Sequence, residues 1–119
     1  MIKTKALESY LQEAITRAPQ IDSATLQNSL NEWKVIDIRE SSEVTNQGSI
    51  ANALTFPRGV LEMQICQSDA IENLETPIVL YCQTGGRSSL AALSLIKLGF
   101  TSVKSLSGGF NAWKKLNES

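Results

Sequence analysis

The chain has 119 residues, 11 basic and 12 acidic, for a net charge of −1, with 42% apolar and 19% charged side chains. That is the length of one ordinary domain, able to bury roughly two-thirds of its unfolded surface in a single core. The charge offers no basic block for phosphates, which speaks against nucleic acid as a partner, and no apolar run approaches the ~20 residues that span a bilayer.

Along the chain, Leu7, Tyr10, Leu11, Ala14 and Ile15 recur at helical spacing and predict a helix over residues 5–18, ended by Pro19. Asp22 or Ser23 can cap a second helix running through Leu26 and Leu30 to about Trp33. Val35-Ile36-Asp37-Ile38 reads as a strand buried on both faces of a parallel sheet. Leu54-Thr55-Phe56 is a weaker strand, stopped by Pro57. Residues 59–65 are expected to form a short helix with Leu61 and Ile65 on one face. Ile78-Val79-Leu80-Tyr81 is the best strand of the sequence. From Ser88, the set Leu90, Ala91, Leu93, Leu95, Ile96 and Leu98 gives the strongest helix, with Gly99 as its stop. A strand over Val103-Lys104-Ser105-Leu106 and a helix carrying Phe110, Trp113 and Leu116 complete the chain. Alternating strands and helices indicate an α/β domain with a mainly parallel sheet and helices on both faces. Residues 1–20 are expected to form an N-terminal helical extension and residues 21–119 the domain itself.

The segment Cys82-Gln83-Thr84-Gly85-Gly86-Arg87-Ser88 joins the best strand to the best helix. In parallel sheets ligands sit at the carboxyl ends of strands, where Cys82 lies. Two glycines allow successive amides to converge on one point. The helix start adds its positive dipole end, and Arg87 can brace the loop or bind an oxyanion. Histidine is absent, which removes a Cys–His dyad, a Ser–His–Asp triad and a histidine metal site together. Activation of Cys82 as a thiolate therefore falls to the backbone amides, the helix end and Arg87.

Three motifs carry a family resemblance: C-Q-T-G-G-R-S at 82–88, V-I-D-I-R-E at 35–40 and L-S-G-G-F-N-A-W at 106–113. The chain resembles the rhodanese-like sulfurtransferases over about residues 21–116. The resemblance implies a three-layer α/β/α fold around a mainly parallel sheet of about five strands. It implies that Cys82 takes a sulfane sulfur from thiosulfate or another persulfide donor and passes it to a thiophilic acceptor such as a cellular thiol. Cys82 and Arg87 would be catalytic. Gln83, Thr84, Gly85, Gly86 and Ser88 would cradle the persulfide, without metal or organic cofactor. A persulfide relay fed by a protein donor and a non-enzymatic binding module are the alternatives. A phosphatase or arsenate reductase of related fold is disfavoured, since four residues rather than five separate Cys82 from Arg87. Gly48-Ser49-Ile50-Ala51-Asn52-Ala53 departs from the family's G-H-I-x-G-A segment at Ser49 and Asn52, which bears on local hydrogen bonding and the pocket rim.

Other residues have plainer readings. Asp37 and Arg39 are expected to be structural, with Arg39 paired to a carboxylate such as Glu43 and Asp37 accepting loop amides. Arg58 can bind the thiosulfate oxyanion or pair with Glu62 at i,i+4. Trp113 is read as core. Cys66, beside Ile65, is expected to be a buried or incidental thiol, with resolution of a Cys82 persulfide as the alternative. Two cysteines make a poor disulfide framework. With no signal core in M-I-K-T-K-A-L-E-S-Y, the expected compartment is the reducing cytoplasm.

Overall fold

The computed structural model describes residues 2, 4 and 6–118. Five strands, β1 (Gln20–Ile21), β2 (Lys34–Asp37), β3 (Leu54–Thr55), β4 (Ile78–Tyr81) and β5 (Val103–Leu106), form one sheet in the order β1-β5-β4-β2-β3. Every pairing is parallel. Among the described residues the α-helices are α1 (Ala6–Arg17), which precedes β1, α2 (Ser23–Asn28), α3 (Ser41–Gln47), α4 (Leu61–Gln67) and α5 (Gly86–Leu98), which lie between strands, and α6 (Gly109–Leu116), which follows β5.

The sheet separates two cores because successive strand residues face opposite ways. On one face Ile36, Ile38, Ile78, Leu80 and Cys82 pack with Leu61 and Ile65 of α4 and with Ala91, Ala92 and Leu95 of α5. On the other, Val35, Val79, Tyr81 and Leu106 pack with Leu26 of α2 and Phe110 of α6. All four residues of β4 are fully buried, each apolar side chain contributing on the order of 1.5–3 kcal/mol. β4 therefore reads as an unbroken apolar run, and the register sets Asp37 level with Tyr81.

The chain leaves β2 toward β3 on one side and β4 toward β5 on the other. The switch point thus falls between β2 and β4, where an open parallel sheet leaves a crevice at its carboxyl ends. The loops after Asp37 and Tyr81 flank it.

Several boundaries differ from the sequence reading. Lys5, the expected start of the first helix, lies outside the described residues. The Asp22 carboxylate caps α2 by accepting from Thr25 N at 2.7 Å, but α2 ends at Asn28, and a 3₁₀ turn over Leu30–Glu32 replaces its expected continuation. A second 3₁₀ turn, Arg58–Val60, precedes α4. α5 starts at Gly86 rather than Ser88, which brings Arg87 into its first turn. α1 lies against α5. Its apolar stripe is split, with Ala14 buried, Leu11 and Ile15 half-buried, and Leu7 and Tyr10 exposed.

Candidate active site

Cys82 follows β4 directly and is 1% exposed. Its Sγ accepts hydrogen bonds from Gly85 N at 3.1 Å and Ser88 N at 3.4 Å, and Ser88 Oγ lies 3.6 Å away. The loop curls back on the sulfur because Gly85 has φ +108°, a left-handed conformation that a side chain strains. A Cβ at Gly85 would also meet Gly108 N at 3.4 Å. The first-turn amides of α5 have no carbonyl partner within the helix and face the same end of the sheet. Gly85 and Ser88 are thus gathered at the sulfur, while Thr84 is exposed at the loop tip.

Arg87 makes a two-pronged ion pair with Glu43 of α3, Nη1 to Oε1 at 2.9 Å and Nη2 to Oε2 at 2.8 Å. The pair holds the Glu43 carboxyl down at about 2. In turn the Glu43 carboxylate raises Arg87 above its ordinary value, and the nearby Cys82 sulfur adds to that. Since Glu43 titrates lower folded than its ordinary 4.5, the pair stabilises fully above about pH 4.5 and is lost as pH falls toward about 2. The Arg87 side chain is 41% exposed, so solvent screening limits the contribution to about 1 kcal/mol. Glu43→Gln should therefore be less stable than wild type by about that amount at neutral pH, with the gap closing near pH 2. Denaturant midpoints at the two pH values check this; a gap that does not change with pH would count against the pair.

Arg39 is paired differently from the sequence expectation. Its partner is Asp37, not Glu43: Nη2 donates to Oδ2 at 2.7 Å and Nε to Oδ1 at 3.0 Å, with both side chains at 0% exposure. Asp37 Oδ1 also accepts one loop amide, Arg39 N, at 3.0 Å. The side chains meet because strand β2 ends at Asp37 and the chain turns back there, while Glu43 is drawn away by Arg87. Burial opposes the Arg39 charge, but the Asp37 carboxylate more than offsets this and raises Arg39 above its ordinary value. Arg39 further donates to Gly48 O at 2.7 Å and Gln83 Oε1 at 3.1 Å, and it lies 4.3 Å from the Phe110 ring centroid.

Gln83, the residue after Cys82, turns its side chain away from the sulfur. Its Nε2 donates to Gln47 Oε1 at 2.8 Å and to Asn111 Oδ1, tying α3 and α6 to the loop. Any part for Gln83 in a sulfur cradle is left to its backbone. The start of α6 braces the same loop: Phe110 N donates to Cys82 O at 2.8 Å and Asn111 N to Gln83 O at 3.1 Å. Gly109 makes this approach possible. It has φ +60°, and a Cβ there would lie 2.6 Å from Cys82 O and the Gln83 carbonyl. Gly109→Ala is expected to destabilise the fold by about 2–4 kcal/mol, through left-handed strain and displaced backbone, and to slow any reaction at Cys82. Gly59→Ala, with nothing within 4 Å of its Cβ, is the control. Equal melting temperatures for the two variants would contradict the close approach.

Arg58 forms the i,i+4 ion pair: Nη1 donates to both Glu62 oxygens, at 3.0 and 2.9 Å. Glu62 is also held by Ser94 Oγ at 2.6 Å. Arg58 N donates to Ile38 O at 3.0 Å, which keeps its backbone at the carboxyl end of β2. Cys66 is exposed, not buried, since Ile65 takes the core-facing position of α4. Trp113 is half-buried against the core on the α6 face of the sheet.

A model of the rhodanese-like domain family matches residues 22–116. The chain belongs to the rhodanese-like domain family. A sulfurtransferase of Allochromatium vinosum is 30% identical over 99 residues, 81% of this chain and 88% of its own. The thiosulfate sulfurtransferase GlpE of Shewanella oneidensis is 36% identical over 84 residues, 71% of this chain and 78% of its own. Among solved structures, RPA3614 of Rhodopseudomonas palustris, a possible tyrosine phosphatase, has TM-score 0.84 at 28% identity and covers 100% of this chain and 96% of that one. The human single-domain sulfurtransferase TSTD1 has TM-score 0.73 at 25% identity, covering 86% and 99%. This rhodanese-like domain accommodates its departures locally. Asn52, where the family pattern has glycine, adopts φ +66°, a conformation asparagine tolerates better than most side chains. The loop around Ser49 is held by Ile50 N donating to Tyr81 Oη at 3.0 Å.

Sequence reasoning missed Glu43 as the partner of Arg87, Gln83 as a strut, and Ser105, whose Oγ lies 2.7 Å from Ser88 Oγ. The Glu40–Glu43 spacing of the capping box was the available signal for α3; nothing local marks Ser105.

Proposed function

We propose that this chain is a thiosulfate sulfurtransferase that works through a persulfide on Cys82. The observation that carries this reading is the seat of Cys82 Sγ, at the amino end of α5 with Gly85 N and Ser88 N directed at it. Those donors stabilise a sulfur anion without an imidazole. In the first half-reaction the Cys82 thiolate attacks the outer sulfur of thiosulfate. The thiosulfate S–S bond breaks, a new S–S bond forms on Cys82, and sulfite leaves with the electron pair. In the second, an acceptor thiolate or cyanide attacks the outer sulfur and Cys82 departs as thiolate.

Arg87 is the catalytic cation beside the sulfur, aligned by Glu43. Arg58, at the neighbouring strand end, binds the sulfonate end of the donor with the face of its guanidinium not used by Glu62. The backbone of Gln83, Thr84, Gly85, Gly86 and Ser88 cradles the outer sulfur, and Asp37 with Arg39 supports the loop. No step needs a metal or organic cofactor. Donors are small sulfur compounds, with a protein persulfide donor as the relay variant, acceptors are thiols or cyanide, and the setting is the reducing cytoplasm. Helix α1 acts as an extension packed on α5 of the domain.

Initial rates over a grid of thiosulfate and cyanide concentrations test the cycle. Parallel double-reciprocal lines are expected of a substituted-enzyme mechanism, whereas converging lines would contradict it. The likeness to RPA3614 raises phosphatase chemistry as a second reading. The four residues between Cys82 and Arg87 leave a smaller cradle than a phosphate ester requires. Turnover of an aryl phosphate that is lost in Cys82→Ser would reverse this preference.

A further inference from the structure

Three serines behind the nucleophile, Ser88, Ser89 and Ser105, are each fully buried. A buried hydroxyl is stable only with partners, and alanine serves at the neighbouring buried positions Ala91 and Ala92. The hydroxyls form a continuous chain that ends on the sulfur. Ser88 Oγ lies 3.6 Å from Cys82 Sγ and 2.7 Å from Ser105 Oγ, and Ser105 Oγ lies 3.2 Å from Ser89 Oγ.

The protons in this chain can be assigned by counting acceptors. Gly85 O accepts from Ser89 N at 3.1 Å and Ser89 Oγ at 2.7 Å, which fills the two lone pairs of a carbonyl. The Ser89 hydroxyl is itself fixed by Gln20 Nε2 donating at 3.0 Å. Ser88 also reaches Gly85 O, at 3.2 Å, but as a third proton on that oxygen. When the sulfur is a thiol it donates to Ser88 Oγ, and Ser88 donates to Ser105. When the sulfur is an anion, Ser105 donates to Ser88 and frees the Ser88 proton for the sulfur.

We propose that Ser105 is a positioning residue which, through Ser88, reverses the direction of this hydroxyl chain to follow the charge on Cys82. The proposal rests on Cys82 being the reactive thiol. It extends that reading to a residue on β5 that does not touch the sulfur. No bond is made or broken along the chain; two hydroxyl rotors turn.

Ser105→Thr and Ser105→Val test it as a matched pair, alike in shape and differing in the hydroxyl. Both are made on a Cys66→Ser background, because Cys66 is exposed and would also react. Ser105→Val is expected to slow iodoacetamide alkylation of Cys82 at neutral pH by about threefold to tenfold and to move the pH profile upward. Ser105→Thr should stay within about twofold of the parent. Equal alkylation rates for the pair would overturn the proposal. If neither variant folds, Ser105→Ala against the parent gives the same comparison without added volume. Alkylation reads the thiolate directly, so failure of sulfur transfer in the parent would sink the sulfurtransferase reading without touching this result.

Discussion

Cys82→Ser is expected to leave a folded protein that transfers sulfur from thiosulfate at least about 1,000-fold more slowly than wild type. The serine oxygen can accept from the same two amides that meet the sulfur, so the loop keeps its shape. It cannot form a persulfide or leave as a stable anion, so the covalent cycle has no carrier. Thiocyanate formation with cyanide as acceptor measures the loss, and a thermal melt confirms that the fold is intact. Residual activity above about a tenth of wild type would place the reacting sulfur elsewhere; Cys66, exposed on α4, would be the next residue to substitute.

The second large effect concerns the fold. Arg39→Ala is expected to destabilise the protein by about 3–5 kcal/mol, out of the roughly 5–15 kcal/mol that holds a domain together. The substitution leaves the fully buried Asp37 carboxylate without its counter-charge. It removes the donors to Gly48 O and Gln83 and the guanidinium against Phe110. A melting temperature lower by roughly 15 °C is the corresponding shift. Asp37→Asn combined with Arg39→Met should be less damaging than Arg39→Ala alone, since no buried charge is then left unpaired. A loss below about 1 kcal/mol for Arg39→Ala would mean that Asp37 finds another partner or becomes neutral.

The loss should also reach the reaction. Gln83 is held at one end by Arg39 and at the other by Gln47 and Asn111, and it directly follows the nucleophile. A site assembled on a loop needs such supports, because small displacements at the reacting atoms slow chemistry steeply.

Much of the fold could be read from particular residues. β4 and α5 were legible because both are buried by local pattern: four apolar residues in a row, then an apolar stripe closed by Gly99. α3 was not, since SSEVTNQ buries no residue and shows no stripe. It exists through its capping box and presents Glu43 to Arg87 across 44 positions of chain. β1 is two residues long and depends on β5, with Ser105 N donating to Pro19 O and Ser107 N to Ile21 O. Edge pairing of that kind leaves little trace in sequence. At the site, the run from Cys82 to Ser88 announced itself through its glycines and position. The pairing of Arg39 did not, because choosing between Asp37 and Glu43 depends on where α3 sits. Ser105 was equally hidden: within a short strand a serine reads as neutral, and only the packing of β5 against α5 brings it to Ser88.

The most direct test of the account is the intact mass of the protein after brief exposure to thiosulfate and removal of the excess. Wild type and Cys66→Ser should each gain one sulfur atom, Cys82→Ala should gain none, and a thiol acceptor should strip the sulfur again. An unchanged mass on wild type, or a gain that persists in Cys82→Ala, would contradict a persulfide on Cys82.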